Sequence, residues 1–167
     1  MSRGRPAREV RLVELEQAMR KSSAQGVLFS QAVAARVGIT SSDLECLDII
    51  VLNTRVTAGA LAVATGLTTG AVTGVIDRLE KAGFARRERD PSDRRKVFVR
   101  ALPAVERRIV PLYRSLQQAA ATELAGYSDK ELTLLLDFFT RAGRMMVAET
   151  KKLGGGAKRH TTGKGEA

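Results

Sequence analysis

Three threonines and two glycines open the part of the chain best suited to chemistry with a partner. They lie in Gly66-Leu-Thr-Thr-Gly-Ala-Val-Thr73, with Gly74 following. On a helix, residues four apart share a face, so Thr69 and Thr73 present a hydroxyl and a methyl side by side. Such hydroxyls can bond base edges or phosphates, and the methyls can lie against thymine. They can also do no more than cap a helix, which is the reading adopted for Thr68. Gly70 and Gly74 each weaken a helix by roughly 1 kcal/mol relative to alanine, so their presence points to a close approach to a surface. Arg78, about one turn further on, can clamp a phosphate or pair internally with an acid near Asp77 or on the segment that follows.

That segment supplies the second group, Asp90-Pro-Ser-Asp93-Arg94-Arg95. Asp, Pro and Ser are turn formers, and the group separates two strand-like pieces, Phe84–Glu88 and Lys96–Leu102. The second carries the β-favouring run Val97-Phe98-Val99. A hairpin tipped by adjacent arginines can enter the narrow, strongly negative minor groove of a duplex, where width is read rather than base identity. Asp93 is read as structural, bonding turn N–H groups or orienting an arginine. A charged loop alone is usually only a solvated surface. Here it follows two short helical patterns that meet at a glycine turn, and that combination is what duplex DNA recognition requires.

The composition agrees. The chain has 167 residues, 44% of them hydrophobic, and a formal net charge of +10, enough for a core and a bias toward polyanions. Between Arg55 and Arg100, ten Lys or Arg stand against five acids. The ends, Met1 to Arg8 and the Gly-rich tail after Lys151, add positive charge. They read equally as solubilising tails or as auxiliary phosphate contacts. No apolar run approaches the roughly 18 residues of a membrane span, and the N-terminus lacks a signal-peptide core. No membrane partner is therefore expected. A single cysteine, Cys46, cannot form an internal disulfide, which fits a reducing cytoplasm.

Elements that position these groups can be placed by periodicity and caps. A disordered start over residues 1–6 precedes a helix from about Ala7 to Ser22. A further helical stretch runs through Leu28 and Phe29 to Val37, stopped by Gly38. Thr40-Ser-Ser-Asp43 has capping-box spacing and opens a helix to about Asn53. Thr57–Thr65 is a short helix ending at Gly66. Thr68 starts the next, which packs Val72, Val75, Ile76 and Leu79 inward and closes at Gly83. Pro103 breaks the second strand and begins a long helix with Val105, Ile109, Leu112, Leu116 and Leu124. Ser128-Asp-Lys-Glu131 caps a last helix to about Leu153, and residues 154–167 read as a disordered tail.

Cys46 sits among Leu44, Leu47, Ile49 and Ile50 and reads as a buried, inert thiol, with peroxide sensing as the minor alternative. His160 has no cysteine or carboxylate cluster nearby, so no metal, no cofactor and no catalytic residue is assigned. No P-loop, nucleophile elbow or paired-carboxylate pattern occurs, and the chain is not expected to be an enzyme.

The stretch from Thr57 to Leu102 resembles the MarR (multiple-antibiotic-resistance regulator) family. The similarity rests on Ile76-Asp-Arg-Leu-Glu-Lys-Ala-Gly83 joined to Asp90-Pro-Ser-Asp93-Arg94-Arg95 and Val97-Phe-Val99. Outside that stretch it rests on helix order over residues 7–153. The resemblance implies a mainly α fold with a small β-hairpin wing. A winged helix-turn-helix lobe would span about 40–102, and dimerisation helices about 7–38 and 104–153. It also implies a homodimer whose reading helices enter successive major grooves of a pseudo-palindrome, about 34 Å apart, and an effector pocket between lobe and dimerisation helices. Carried over by position, the expected DNA-contacting set is Thr68, Thr69, Gly70, Thr73, Arg78, Asp93, Arg94 and Arg95. One departure is Ala101-Leu-Pro103-Ala-Val105, where the family has a Leu-Thr-Pro-x-Gly-like ending. The family's cysteine-based sensors keep their cysteine in the first helix, which Cys46 does not occupy.

The expected function is that of a transcriptional regulator, a repressor, binding double-stranded DNA as a homodimer and modulated by a small-molecule effector. The alternatives are an architectural DNA-binding protein without effector, and a winged-helix module for protein or RNA contact.

Overall fold

The computed structural model describes residues 7–93 and 96–156. The expectations for residues 1–6, for Arg94 and Arg95, and for the tail from residue 157 with His160 lie outside the described residues.

Local capping chemistry sets most of the element boundaries between Thr40 and Gly83. Thr40 and Asp43 form the expected reciprocal box: the Thr40 N–H donates to Asp43 Oδ2 (3.0 Å) and the Asp43 N–H donates to Thr40 Oγ1 (3.2 Å). This opens α2 (Ser41–Leu52). Thr57 accepts from the Ala60 N–H and opens α3 (Ala58–Thr65), which ends at Gly66 with φ +74°. Thr68 accepts from the Ala71 N–H and opens α4 (Thr69–Lys81). The chain leaves α4 through Gly83 at φ +76°, where an L side chain would be strained.

The wing is a three-stranded antiparallel sheet in the order β1-β3-β2, with β1 at Val56–Thr57, β2 at Ala85–Arg89 and β3 at Val97–Ala101. The two long strands pair from Ala85↔Ala101 to Arg89↔Val97, within a residue of the expected bounds. The third strand was not expected. Val56–Thr57 pairs with Val99 and Phe98, and two residues are too few to show a periodicity.

Three expectations need correction in the flanking helices. The first helix, α1, is one continuous element from Ala7 to Val37. Ser22 to Gly26 contains no proline, and a single glycine costs too little to break 31 residues of helix. The long helix after Pro103 is divided into α5 (Ala104–Arg108) and α6 (Val110–Leu124). Pro111 lacks the N–H that would continue the ladder through this point. The last helix, α7, runs from Asp129 to Gly156 rather than giving way to a tail at Gly154.

The core lies in the lobe. Leu44, Leu47 and Ile50 of α2, Leu61 of α3, and Val72, Ile76 and Leu79 of α4 close around Phe84 and Val99, with Val33 and Ala34 contributed by the end of α1. The N-terminal two thirds of α1 place no residue in that core and α6 meets it only through half-buried Leu112 and Tyr113, and α7 leaves Leu134, Leu136, Phe139, Met145, Met146 and Val147 exposed. No single described helix is long and apolar enough to cross a membrane.

Candidate nucleic-acid interface

The α4 helix is amphipathic in the sense its sequence demands. Val72, Val75, Ile76 and Leu79 are buried, and Thr69, Gly70 and Thr73 are exposed on the opposite side of its N-terminal half. The Thr73 hydroxyl donates to the Thr69 carbonyl (3.0 Å). Its methyl and its oxygen lone pairs are thereby left for an outside partner. Thr68 does its expected capping work at the entrance. A Cβ built on Gly70 would meet nothing within 4 Å, so the protein itself does not require glycine there.

A Cβ on Gly74 would sit 3.4 Å from Arg78 Nη1, an ordinary contact with the end of a flexible side chain. Arg78 does not reach an acid near Asp77 or on the hairpin, as the sequence suggested. Its partner is Asp43 at the start of α2, engaged through Nε (3.0 Å) and Nη2 (2.7 Å) to Oδ1. Asp43 is completely buried. Burial alone would raise its pKa, but Arg78 and the Thr40 N–H and hydroxyl outweigh that and hold the carboxyl below its ordinary value. One carboxylate therefore both caps α2 and anchors α4. The Arg78 side chain remains 50% exposed, so the anchor faces solvent on its outer side.

The other flank of α4 is tied to the wing. Arg87 on β2 bridges Asp77 (2.7 Å) and Glu80, and its backbone N–H donates to Glu80 Oε1 (2.7 Å). Asp77 stays largely exposed while making this link. At its C-terminal end α4 meets α5: Arg108 donates to the Ala82 carbonyl (3.4 Å), and its guanidinium stands 4.7 Å from the centroid of the buried Phe84 ring. Three clamps, at Asp43, Arg87 and Arg108, hold the helix while leaving its N-terminal half open.

In the described part of the hairpin turn, Asp90 supplies the organising carboxylate. Its Oδ1 accepts from the Ser92 N–H (2.7 Å), the Ser92 hydroxyl (2.5 Å) and the Asp93 N–H (3.3 Å). Asp93 is half-buried beside it; its carbonyl accepts from the Lys96 N–H (2.8 Å), and its carboxylate lies 3.9 Å from the Lys96 ammonium. Arg89 and Lys96 are exposed beside the turn, while Arg86 and Arg100, exposed near the other end of the hairpin, both pair with Glu88.

Cys46 is 1% exposed. Burial, with Asp43 and Glu45 adding to it, pushes its thiol up to about 11, so it is protonated at neutral pH and a poor nucleophile. A groove of about 620 Å³ separates α3 from α7, lined by Ala60, Val63, Ala64, Met146, Val147 and Thr150, with Lys151 at its edge.

Two helices meeting at a glycine turn, the second presented outward and braced by a basic hairpin, define a winged helix-turn-helix DNA-binding protein. Residues 39–97 match the MarR family. Over 137 residues the chain is 40% identical to the uncharacterized HTH-type transcriptional regulator YcgE of Bacillus subtilis strain 168, covering 82% of this chain and 89% of that one. The chain belongs to the MarR family of transcriptional regulators. A MarR family protein from Bacillus stearothermophilus superimposes with a TM-score of 0.65 at 25% identity, over 83% of this chain and 96% of its own. A mutant Escherichia coli MarR complexed with operator DNA shares the fold, with a TM-score of 0.53 at 19% identity over 79% and 95%.

Proposed function

We propose that this protein is a homodimeric repressor that binds a pseudo-palindromic operator and is released from it by a small-molecule effector. The observation that carries this reading is the exposed Thr69-Gly70-Thr73 face of α4, fixed on both flanks and free of internal partners that would block a groove wall. In this reading Thr69 and Thr73 meet base edges, Thr68 and Gly70 allow close approach, and Arg94 and Arg95 enter the minor groove with Asp93 supporting the turn. Arg78 adds positive potential beside the backbone while its main bond goes to Asp43.

The exposed apolar faces of α1, α6 and α7 support a second copy as the dimer partner. The groove between α3 and α7 supports an effector that changes the angle between lobe and dimerisation helices. A differential affinity of a few kcal/mol between two spacings of the reading helices is enough to switch binding.

Footprinting on the DNA upstream of the protein's own gene, repeated at increasing salt, tests the reading. A protected short pseudo-palindrome and a steep loss of affinity with salt are expected. Uniform coverage without a preferred site indicates an architectural protein instead. Salt-independent binding indicates a winged-helix module for another partner. Arg95→Ala is expected to weaken operator binding by about 1–3 kcal/mol, and an unchanged affinity removes the wing from the mechanism.

A further inference from the structure

We propose that Arg55, which lies outside the residues expected to touch DNA, is a positioning residue that sets the wing's pitch against α4 by stacking on Phe98. Its guanidinium carbon stands 4.5 Å from the Phe98 ring centroid, inside the roughly 6 Å reach of a cation–π contact. Thr57 of β1 lies opposite Phe98 of β3, and Arg55 sits in the bend that leads into β1, two residues before Thr57.

The backbone leading to Arg55 is bent to allow this. Thr54 takes φ 61°, a left-handed conformation that strains a non-glycine residue. The turn from α2 into β1 is thus held in a strained form, with the Arg55 side chain laid over the sheet. That side chain is exposed, and none of the hydrogen bonds or ion pairs among the described residues that hold the core depends on it.

This inference rests on the wing's role in operator binding, so Arg95→Ala is run alongside as a separate check. In the full-length protein, Arg55→Ala is expected to weaken binding to the footprinted fragment roughly two- to fivefold, the worth of one exposed cation–π contact. The dependence of affinity on salt should be unchanged, Phe98→Leu should give a similar loss, the double variant no further loss, and Arg55→Lys partial recovery. Thermal unfolding of each variant confirms that the lobe remains folded. Unchanged affinity in Arg55→Ala while Arg95→Ala binds weakly overturns the proposal. So does additivity with Phe98→Leu together with a salt slope shallower by about 0.9, which makes Arg55 a phosphate contact. If Arg95→Ala binds normally, the wing reading itself has failed.

Discussion

Asp43 and Arg78, 35 positions apart in sequence, join the first turn of α2 to the last turn of α4 through a two-pronged contact of 2.7 and 3.0 Å. The carboxylate is fully buried and the guanidinium half exposed, so the pair works as an anchor with its cationic side outward. Removing Arg78 leaves a buried carboxylate with only Thr40 as partner. Arg78→Ala and Asp43→Ala are each expected to lower unfolding stability by about 1–3 kcal/mol, and the double variant should lose little more than the worse single. Denaturant unfolding of all three measures the coupling. Operator affinity should fall together in both single variants. A much larger fall in Arg78→Ala, with a shallower salt slope, would make phosphate contact its principal role.

The same carboxylate sets an acid limb to stability. Its pKa is lowered in the folded chain, so it contributes stability that is present above the ordinary aspartate range, near pH 4. That contribution is lost as pH falls through the lower folded value. Asp48 works in the opposite sense, because burial and Glu45 raise its pKa. Comparing wild type with Asp43→Asn isolates the one group: the variant should be less stable at pH 7, and the gap should close below about pH 4. A gap that stays constant down to pH 2.5 would show that the ion pair contributes nothing to the pH dependence.

Gly70 separates reading from folding. The space around it is open and alanine is the better helix former, so Gly70→Ala should leave the free protein as stable or up to about 1 kcal/mol more stable. Its added methyl points where a groove wall is expected, and operator affinity should drop. A variant that is both more stable and equally tight on DNA would show that α4 does not approach the duplex through this residue.

What the sequence disclosed and what it hid divide along contact range. Thr40, Thr57 and Thr68 declared their helices because a cap bonds to an N–H two or three residues away, a distance that spacing alone can reveal. The wing was visible for the same reason, through Asp90-Pro-Ser-Asp93. Asp43 was readable as half of a capping box but not as the anchor of Arg78, since nothing local links two residues so far apart. Arg87 with Asp77 and Glu80, Arg108 on Phe84, and Arg55 on Phe98 are hidden in the same way. The continuity of α1 was masked by a stretch, Ser22 to Gly26, whose polarity resembles a loop but which contains no breaker. The division at Ile109 falls beside Pro111, whose missing N–H ends the ladder within a run of otherwise continuous helical spacing.

The terminal helices carry the last prediction. Leu136 is 70% exposed and Phe139 64%, beside Met145, Met146 and Val147 on the same helix, and a lone small chain rarely leaves so much apolar side chain in water. Leu136→Glu does not disturb the lobe core, because Leu136 touches none of it, so its helical circular dichroism should match wild type. If this face joins two copies, the charge must be buried without a partner, and sedimentation at micromolar concentration should show monomer in place of dimer. A monomer meets one half-site only, which removes the gain from simultaneous engagement, roughly 10² or more in affinity. A variant that remains dimeric and binds the full operator normally would place the contact between copies elsewhere. One that becomes monomeric yet binds as tightly would mean that a single reading helix and its wing are sufficient.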